Sequence, residues 1–184
     1  LSVIQFAAKL GVKCISLVRS EIAREKLLSF SKTEVFLDQD DAVEEISSLT
    51  KGKKCLMALN SVGGKSALRL AKCLSRGGVH VTFGAMDGEP IRFPTRSLIF
   101  DDIRFVGFWL DRWKENRGVN DIRKSIESVL QPLALMEIRH PVDSIFNLNE
   151  FEQAFSRNNE TRLGKVLFAR DKEFFKGSKV STGE

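Results

Sequence analysis

The segment LNSVGGKS at 59–66 carries the densest chemical signal in this 184-residue sequence. Gly64, Lys65 and Ser66 match the end of a P-loop, in which backbone N–H groups and a lysine surround phosphate oxygens. That motif needs its first glycine at position 59, which is Leu59, and Val62 lies where a cradling backbone prefers small residues. Two other readings stay open. Gly63 and Gly64 turn the chain between a strand and a helix with Lys65 solvated, or the loop lies at the rim of a nucleotide site, where backbone without side chains can approach a ligand. Three more segments, LVRS at 17–20, FGAM at 83–86 and GFWL at 107–110, each follow a short apolar run and close on small, polar or aromatic residues. Ligands of open α/β sheets lie outside the carboxyl ends of the strands, so these segments are candidate contact loops.

Other chemistries are poorly served. Cys14, Cys55 and Cys73 are odd in number and widely spaced, which reads as buried small hydrophobes in a reducing compartment. A zinc site needs Cys and His at short spacing, and His80 and His140 stand far from any such cluster, so no metal is expected. The sequon at Asn159, Glu160 and Thr161 has no other mark of secretion beside it. Charged residues make up 29% and hydrophobic residues 42%, the balance of a globular protein with one core. The net charge of +5 suits an anionic ligand or an organelle with a basic proteome, solvated Lys and Arg being the plainer explanation, and charge alone decides nothing; no nucleic-acid partner is expected. No apolar run approaches the length of a membrane span.

The elements that must position those loops alternate between strand and helix. Residues 2–10 form an amphipathic helix ended by Gly11, 13–18 a buried strand, and Ser20 caps a helix beginning near Glu21. A strand over 34–37 precedes a helix rich in early Asp and Glu. Residues 55–59 form a strand, 66–76 a helix stopped by Gly77 and Gly78, and 79–83 a strand. A broken, proline-bearing loop leads to a strand over 103–109 and a helix over 120–135 interrupted late by Pro132. A terminal module follows, with a helix started by a capping box of Asn149 and Glu152, bearing Phe151 and Phe155, and a last strand over 165–169. This alternation predicts an α/β fold with a parallel sheet and helices on both faces. Residues 171–184 read as a mobile polar tail.

In order and spacing, LNSVGGK, VTFGAM, SLIF and FVGFWLDRW resemble the mitochondrial trans-2-enoyl-CoA (enoyl thioester) reductases of the medium-chain dehydrogenase/reductase superfamily, over most of residues 1–168. The resemblance implies a Rossmann-type doubly wound sheet and NADPH-dependent reduction of the α,β double bond of a 2-enoyl thioester, on CoA or acyl carrier protein, in mitochondrial fatty-acid synthesis. It implies a homodimer. It places the NADPH 2′-phosphate against Arg19, Ser20 and Glu21, and arginine suits that role where Asp or Glu would instead bind the ribose diol of NADH. Glu21 departs from the basic residue common among relatives. Phe83, Gly84, Ala85 and Met86 would line the nicotinamide half, as would Phe108, Trp109 and Leu110 on the next strand, and Lys165 would approach from the terminal module. Core packing of the aromatics and solvation of Arg19 and Lys165 are the alternatives.

Three departures follow from the resemblance. The family's first strand and glycine-rich pyrophosphate turn would stand before Leu1. Its catalytic domain and proton-donor tyrosine are expected upstream, and no tyrosine occurs here, so no residue is assigned as general acid and this chain alone is expected to be inactive. Residues 1–135 are then an incomplete NADPH-binding domain and 136–170 a segment returning to the catalytic domain. Without the first strand, the strands ending at Val18 and near Leu59 should close on each other or recruit a strand from elsewhere. Alternative functions are a quinone oxidoreductase or other alkene reductase of the same superfamily, or a nucleotide-responsive interaction module without catalysis.

Overall fold

The structure, a computed structural model, describes residues 1–171. The expected mobile tail, apart from Asp171, lies outside the described residues. The chain divides into two compact units, Phe36–Ile126 and a second made of Leu1–Val35 with the chain from Glu127 onward.

In the unit spanning Phe36–Ile126, three parallel strands, β3 (Cys55–Asn60), β4 (Leu74–Thr82) and β5 (Arg104–Gly107), lie in the order β3-β4-β5. They follow α3 (Ala42–Leu49) and are joined by α4 (Gly64–Lys72) and by a long connection holding the short α5 (Thr95–Ile99). The core gathers Ala58, Leu74 and Ile103, with Cys55, Leu70 and Phe105 packed against them. Helix α4 buries small residues, Ser66, Ala67 and Ala71, which lets a helix backbone approach closely. Its Arg69 is anchored, Nε donating to Asp38 Oδ1 at 2.6 Å and Nη2 to the Asp38 carbonyl at 3.0 Å. His80 is fully buried, its ring centroid 5.1 Å from that of Phe105, and burial pushes its pKa down, so it is a neutral core residue.

Three sequence readings change here. The helix expected over 66–76 ends at Lys72, because Leu74 turns into the sheet, where it is buried and pairs with Cys55. Register then shifts, so that Met57 next pairs with Val79, leaving 75–78 outside regular pairing. The strand expected over 103–109 stops at Gly107, and Trp109 caps a helix, α6 (Leu110–Glu115), absent from the sequence reading. Trp109 and Leu110 therefore stand on a strand-to-helix turn and not on the strand. Helix α7 (Val119–Ala134) closes this unit and runs into the next.

In the other unit, α1 (Ser2–Lys9), β1 (Ile15–Val18) and α2 (Glu21–Phe30) fall close to their expected bounds. Ser20 caps α2, its hydroxyl oxygen accepting from Ala23 N–H at 3.3 Å. Strand β2 (Glu34–Leu37), at its expected bounds and divided between the two units after Val35, pairs with β1. Among the described residues, β1 and β3 belong to different sheets. The terminal module is a parallel βαβ unit: β6 (Val142–Asn147), a 3₁₀ turn over Leu148–Glu150, α8 (Phe151–Asn159) and β7 (Lys165–Ala169). Strand β6 was not read from sequence, and the capping box is Asn147 with Glu150, two residues before the expected pair. Gln5 ties α1 to this end of the chain, exchanging 2.8 Å hydrogen bonds with the backbone N–H and C=O of Arg139.

Arg157 on α8 grips the half-buried Asp143 of β6 with two hydrogen bonds, 2.7 Å from Nε and 2.6 Å from Nη2, and these hold the carboxyl below its usual pKa. A depressed folded-state pKa stabilises the fold fully above the unfolded value of about 4, and that contribution is lost as pH falls through the folded value. Asp143→Asn should therefore lower stability at neutral pH and flatten its decline between about pH 5 and 2. Denaturant melts across that range check this, and identical acid limbs for variant and wild type would contradict it.

Candidate cofactor-contact loops

The register of the three-stranded sheet sets Asn60, Thr82 and Gly107 level at the carboxyl ends of β3, β4 and β5. The segments that leave those ends are Ser61–Gly63, Phe83–Met86 and Phe108–Leu110, so the sheet brings together two of the expected contact loops and the glycine loop. Phe108 N–H donates to the Thr82 carbonyl at 2.8 Å, extending the pairing one residue past β5. Phe83, Met86, Phe108, Trp109 and Leu110 are all exposed, Met86 to 72% and Trp109 to 66%. Core packing, the ordinary fate of such residues, does not account for them. Phe108, Trp109, Arg112, Trp113 and Arg117 line an open cleft of about 380 Å³, in which the Arg117 guanidinium lies 4.7 Å from the Trp113 ring centroid.

The glycine loop is laced to the segment after β4. Phe83 N–H donates to the Asn60 carbonyl at 2.9 Å, Met86 N–H to Ser61 at 3.2 Å and Asp87 N–H to Val62 at 2.9 Å. Asn60, 1% exposed, turns its side-chain oxygen onto the N–H groups of Val62 and Gly63, both at 2.8 Å. A Cβ on Gly84 would stand 2.8 Å from the Ser61 carbonyl oxygen. Glycine is required at 84 by this loop-to-loop contact, a reason the sequence did not disclose.

The same lacing brings an acidic side chain against the glycine loop, which does not favour the P-loop reading. The Asp87 carboxylate lies against Gly64, the first residue of α4, where a Cβ would collide with it. The same carboxylate accepts from the Glu89 N–H at 2.9 Å. Lys65 is exposed. Asn60, Ser61 and Asp87 were not among the expected site residues. The available signal was an Asn at a strand end before two glycines, which marks a side-chain-closed turn.

The remaining expected residues belong to the other unit. Arg19 is exposed just past β1 and makes no ion pair among the described residues. The Ser20 hydroxyl oxygen uses one of its two lone pairs on the α2 cap, and its proton remains able to donate. The Glu21 carboxylate lies 3.5 Å from Arg24 Nη1. Lys165 opens β7 with its side chain exposed and its N–H bonded to the Pro141 carbonyl at 3.0 Å. Among the described residues no three His, Cys, Asp or Glu side chains converge as a metal site requires, and no helix is long and apolar enough to cross a membrane.

Comparison with known proteins agrees with this architecture. The mitochondrial enoyl-[acyl-carrier-protein] reductase of Yarrowia lipolytica is 32% identical over 169 residues, which are 88% of this chain and 43% of that protein. The chain thus spans less than half the length of this curated relative. Among solved structures, a putative NADPH:quinone reductase from Bacillus thuringiensis superposes with a TM-score of 0.75 at 21% identity, covering 88% of this chain and 50% of that one. Etr1p in complex with NADP and crotonyl-CoA gives a TM-score of 0.72 at 21% identity, covering 90% and 49%. These two likenesses concern the fold. The family model described as zinc-binding dehydrogenase matches residues 1–128, and the chain belongs to that family.

Proposed function

We propose that this chain is the NADPH-binding part of an enzyme that reduces the α,β double bond of 2-enoyl thioesters, carried on CoA or acyl carrier protein, in mitochondrial fatty-acid synthesis. The observation that carries the reading is the set of exposed apolar residues at level strand ends, Phe83 and Met86 after β4 and Phe108 to Leu110 after β5, a surface suited to a flat nicotinamide ring. The curated relative named above bears a mitochondrial enoyl-reductase name, and the Etr1p neighbour holds NADP and crotonyl-CoA.

In this reading residues 1–135 serve the cofactor, and 136–170 lead back to a catalytic domain. Arg19 binds the 2′-phosphate with Ser20 donating its hydroxyl proton, while Glu21, occupied by Arg24, adds no positive charge. Phe83 to Met86 and Phe108 to Leu110 exclude water from the nicotinamide half, and Lys165 supplies a cation. NADPH supplies the hydride when bound, and the protein fixes geometry. The family description names zinc, yet the described residues offer no ligand cluster for it, so no step is assigned to a metal. The whole enzyme is proposed to work as a homodimer.

Turnover by the whole protein tests the reading. With NADPH, kcat/KM for crotonyl-CoA should exceed that for a simple quinone by about 100-fold or more, the equivalent of about 2.7 kcal/mol in transition-state binding. A quinone preferred over the thioester would move the assignment to the quinone oxidoreductases, and no reduction of either substrate would leave a nucleotide-responsive module as the better account.

A further inference from the structure

The geometry points to Asn60 as a positioning residue: its buried amide fixes the glycine loop onto which the Phe83–Asp87 segment is laced, and so sets where Phe83 to Met86 meet the nicotinamide. The inference rests on the cofactor assignment proposed above and goes beyond it, since Asn60 itself contacts no cofactor.

Four observations converge on this side chain. Asn60 is 1% exposed, among the most deeply buried large side chains of the described residues. Its Oδ1 accepts from two consecutive backbone N–H groups, Val62 and Gly63, each at 2.8 Å. Two donors on one atom fix which end of the amide is oxygen. Its own carbonyl accepts from Phe83 N–H, the first rung of the ladder continued by Met86 on Ser61 and Asp87 on Val62. Finally, Gly84 lies so close to the Ser61 carbonyl that a Cβ would approach to 2.8 Å, so a small shift of the Ser61 turn must displace the 83–86 backbone. Asn60 Nδ2 has no hydrogen-bond partner among the described residues. The acceptor end of the amide is the end that shapes the loop.

The consequence is specific. Tight cofactor binding depends chiefly on phosphate contacts such as that assigned to Arg19, whereas hydride transfer depends on the ring's position to within a fraction of an ångström. Removing the Oδ1 acceptor should therefore lower kcat much more than it raises KM for NADPH.

The test uses the whole enzyme with crotonyl-CoA and NADPH or NADPH deuterated at the transferred position, with active sites counted by bound NADPH. Asn60→Leu should lower kcat per site by about 10- to 100-fold with KM for NADPH changed less than about threefold. The primary deuterium isotope effect on kcat should rise, because hydride transfer becomes rate-limiting. Asn60→Asp keeps an acceptor for both N–H groups and should recover most of kcat and the wild-type isotope effect. Loss of folded protein alone would reduce the number of sites and leave the isotope effect unchanged. Should Asn60→Leu not fold, Gly84→Ala disturbs the same contact from the other side and must give the same split of kcat from KM with a raised isotope effect. An unchanged kcat per site, or an Asn60→Asp no better than Asn60→Leu, would overturn the inference alone. A wild-type enzyme without NADPH-dependent turnover would overturn the functional reading and this inference together.

Discussion

Replacing Arg19 with Ala is expected to lower kcat/KM for NADPH by about 10- to 100-fold while leaving NADH nearly unaffected, because a charge-assisted hydrogen bond is worth about 1.5 to 3 kcal/mol. Arg19 is exposed at the carboxyl end of β1 and has no ion pair among the described residues, so no existing salt bridge must break for it to take a phosphate. The wild-type enzyme should prefer NADPH for the same reason. Arg19→Lys should retain only part of the preference, since a point charge lacks the planar fork of donors that engages phosphate. Steady-state kinetics with both cofactors reads the effect directly. Equal efficiency with NADH and NADPH in the wild type would remove the role assigned to Arg19.

Gly164→Ala is expected to be the most damaging small substitution in the terminal module. Gly164 has φ +105°, a conformation that L side chains rarely adopt, and an added Cβ would overlap the Pro141 carbonyl, standing 2.8 Å from its carbon. The next residue, Lys165, begins β7 by donating its N–H to that same carbonyl and pairs in register with Val142. The clash can be relieved only by separating the start of β6 from the start of β7. Strained backbone and overpacking together should cost about 2 to 5 kcal/mol. A denaturant melt of variant against wild type measures it, and a loss below about 1 kcal/mol would mean that the β6–β7 entry is not as tight as described.

Where local pattern and tertiary pairing agree, the elements were legible. Strands β2 and β7 fall on their expected residues because EVFL and KVLFA are compact apolar runs bounded by turn-forming sequence. The errors arise where pairing overrides pattern. Residues 66–76 read as one amphipathic helix, yet Cys55 N–H bonds to the Cys73 carbonyl at 2.9 Å and burying Leu74 in the sheet outweighs another turn of helix. Strand β6 is mixed in polarity, with Asp143 and Ser144 within it, and is stabilised by β7 more than twenty residues away and by Arg157, which no local period reveals.

The candidate site was legible in its exposed aromatics and not in what supports them. GFWL and FGAM could be named from type and spacing, and they do leave the sheet at level strand ends. The contribution of Asn60 depends on a ladder between two loops some twenty residues apart, and that of Asp87 on where a loop returns to the start of α4. Gly84 could be read as a site for ligand approach, but its space is filled by Ser61, a distinction that requires three-dimensional structure.

A structure of the whole protein with NADP⁺ bound tests the central claim most directly. The account predicts the Arg19 guanidinium within about 3 Å of 2′-phosphate oxygens and the nicotinamide ring against the Phe83 to Met86 backbone, with Phe108 and Trp109 covering it. A 2′-phosphate held by other residues, or a nicotinamide ring away from the ends of β4 and β5, would contradict it.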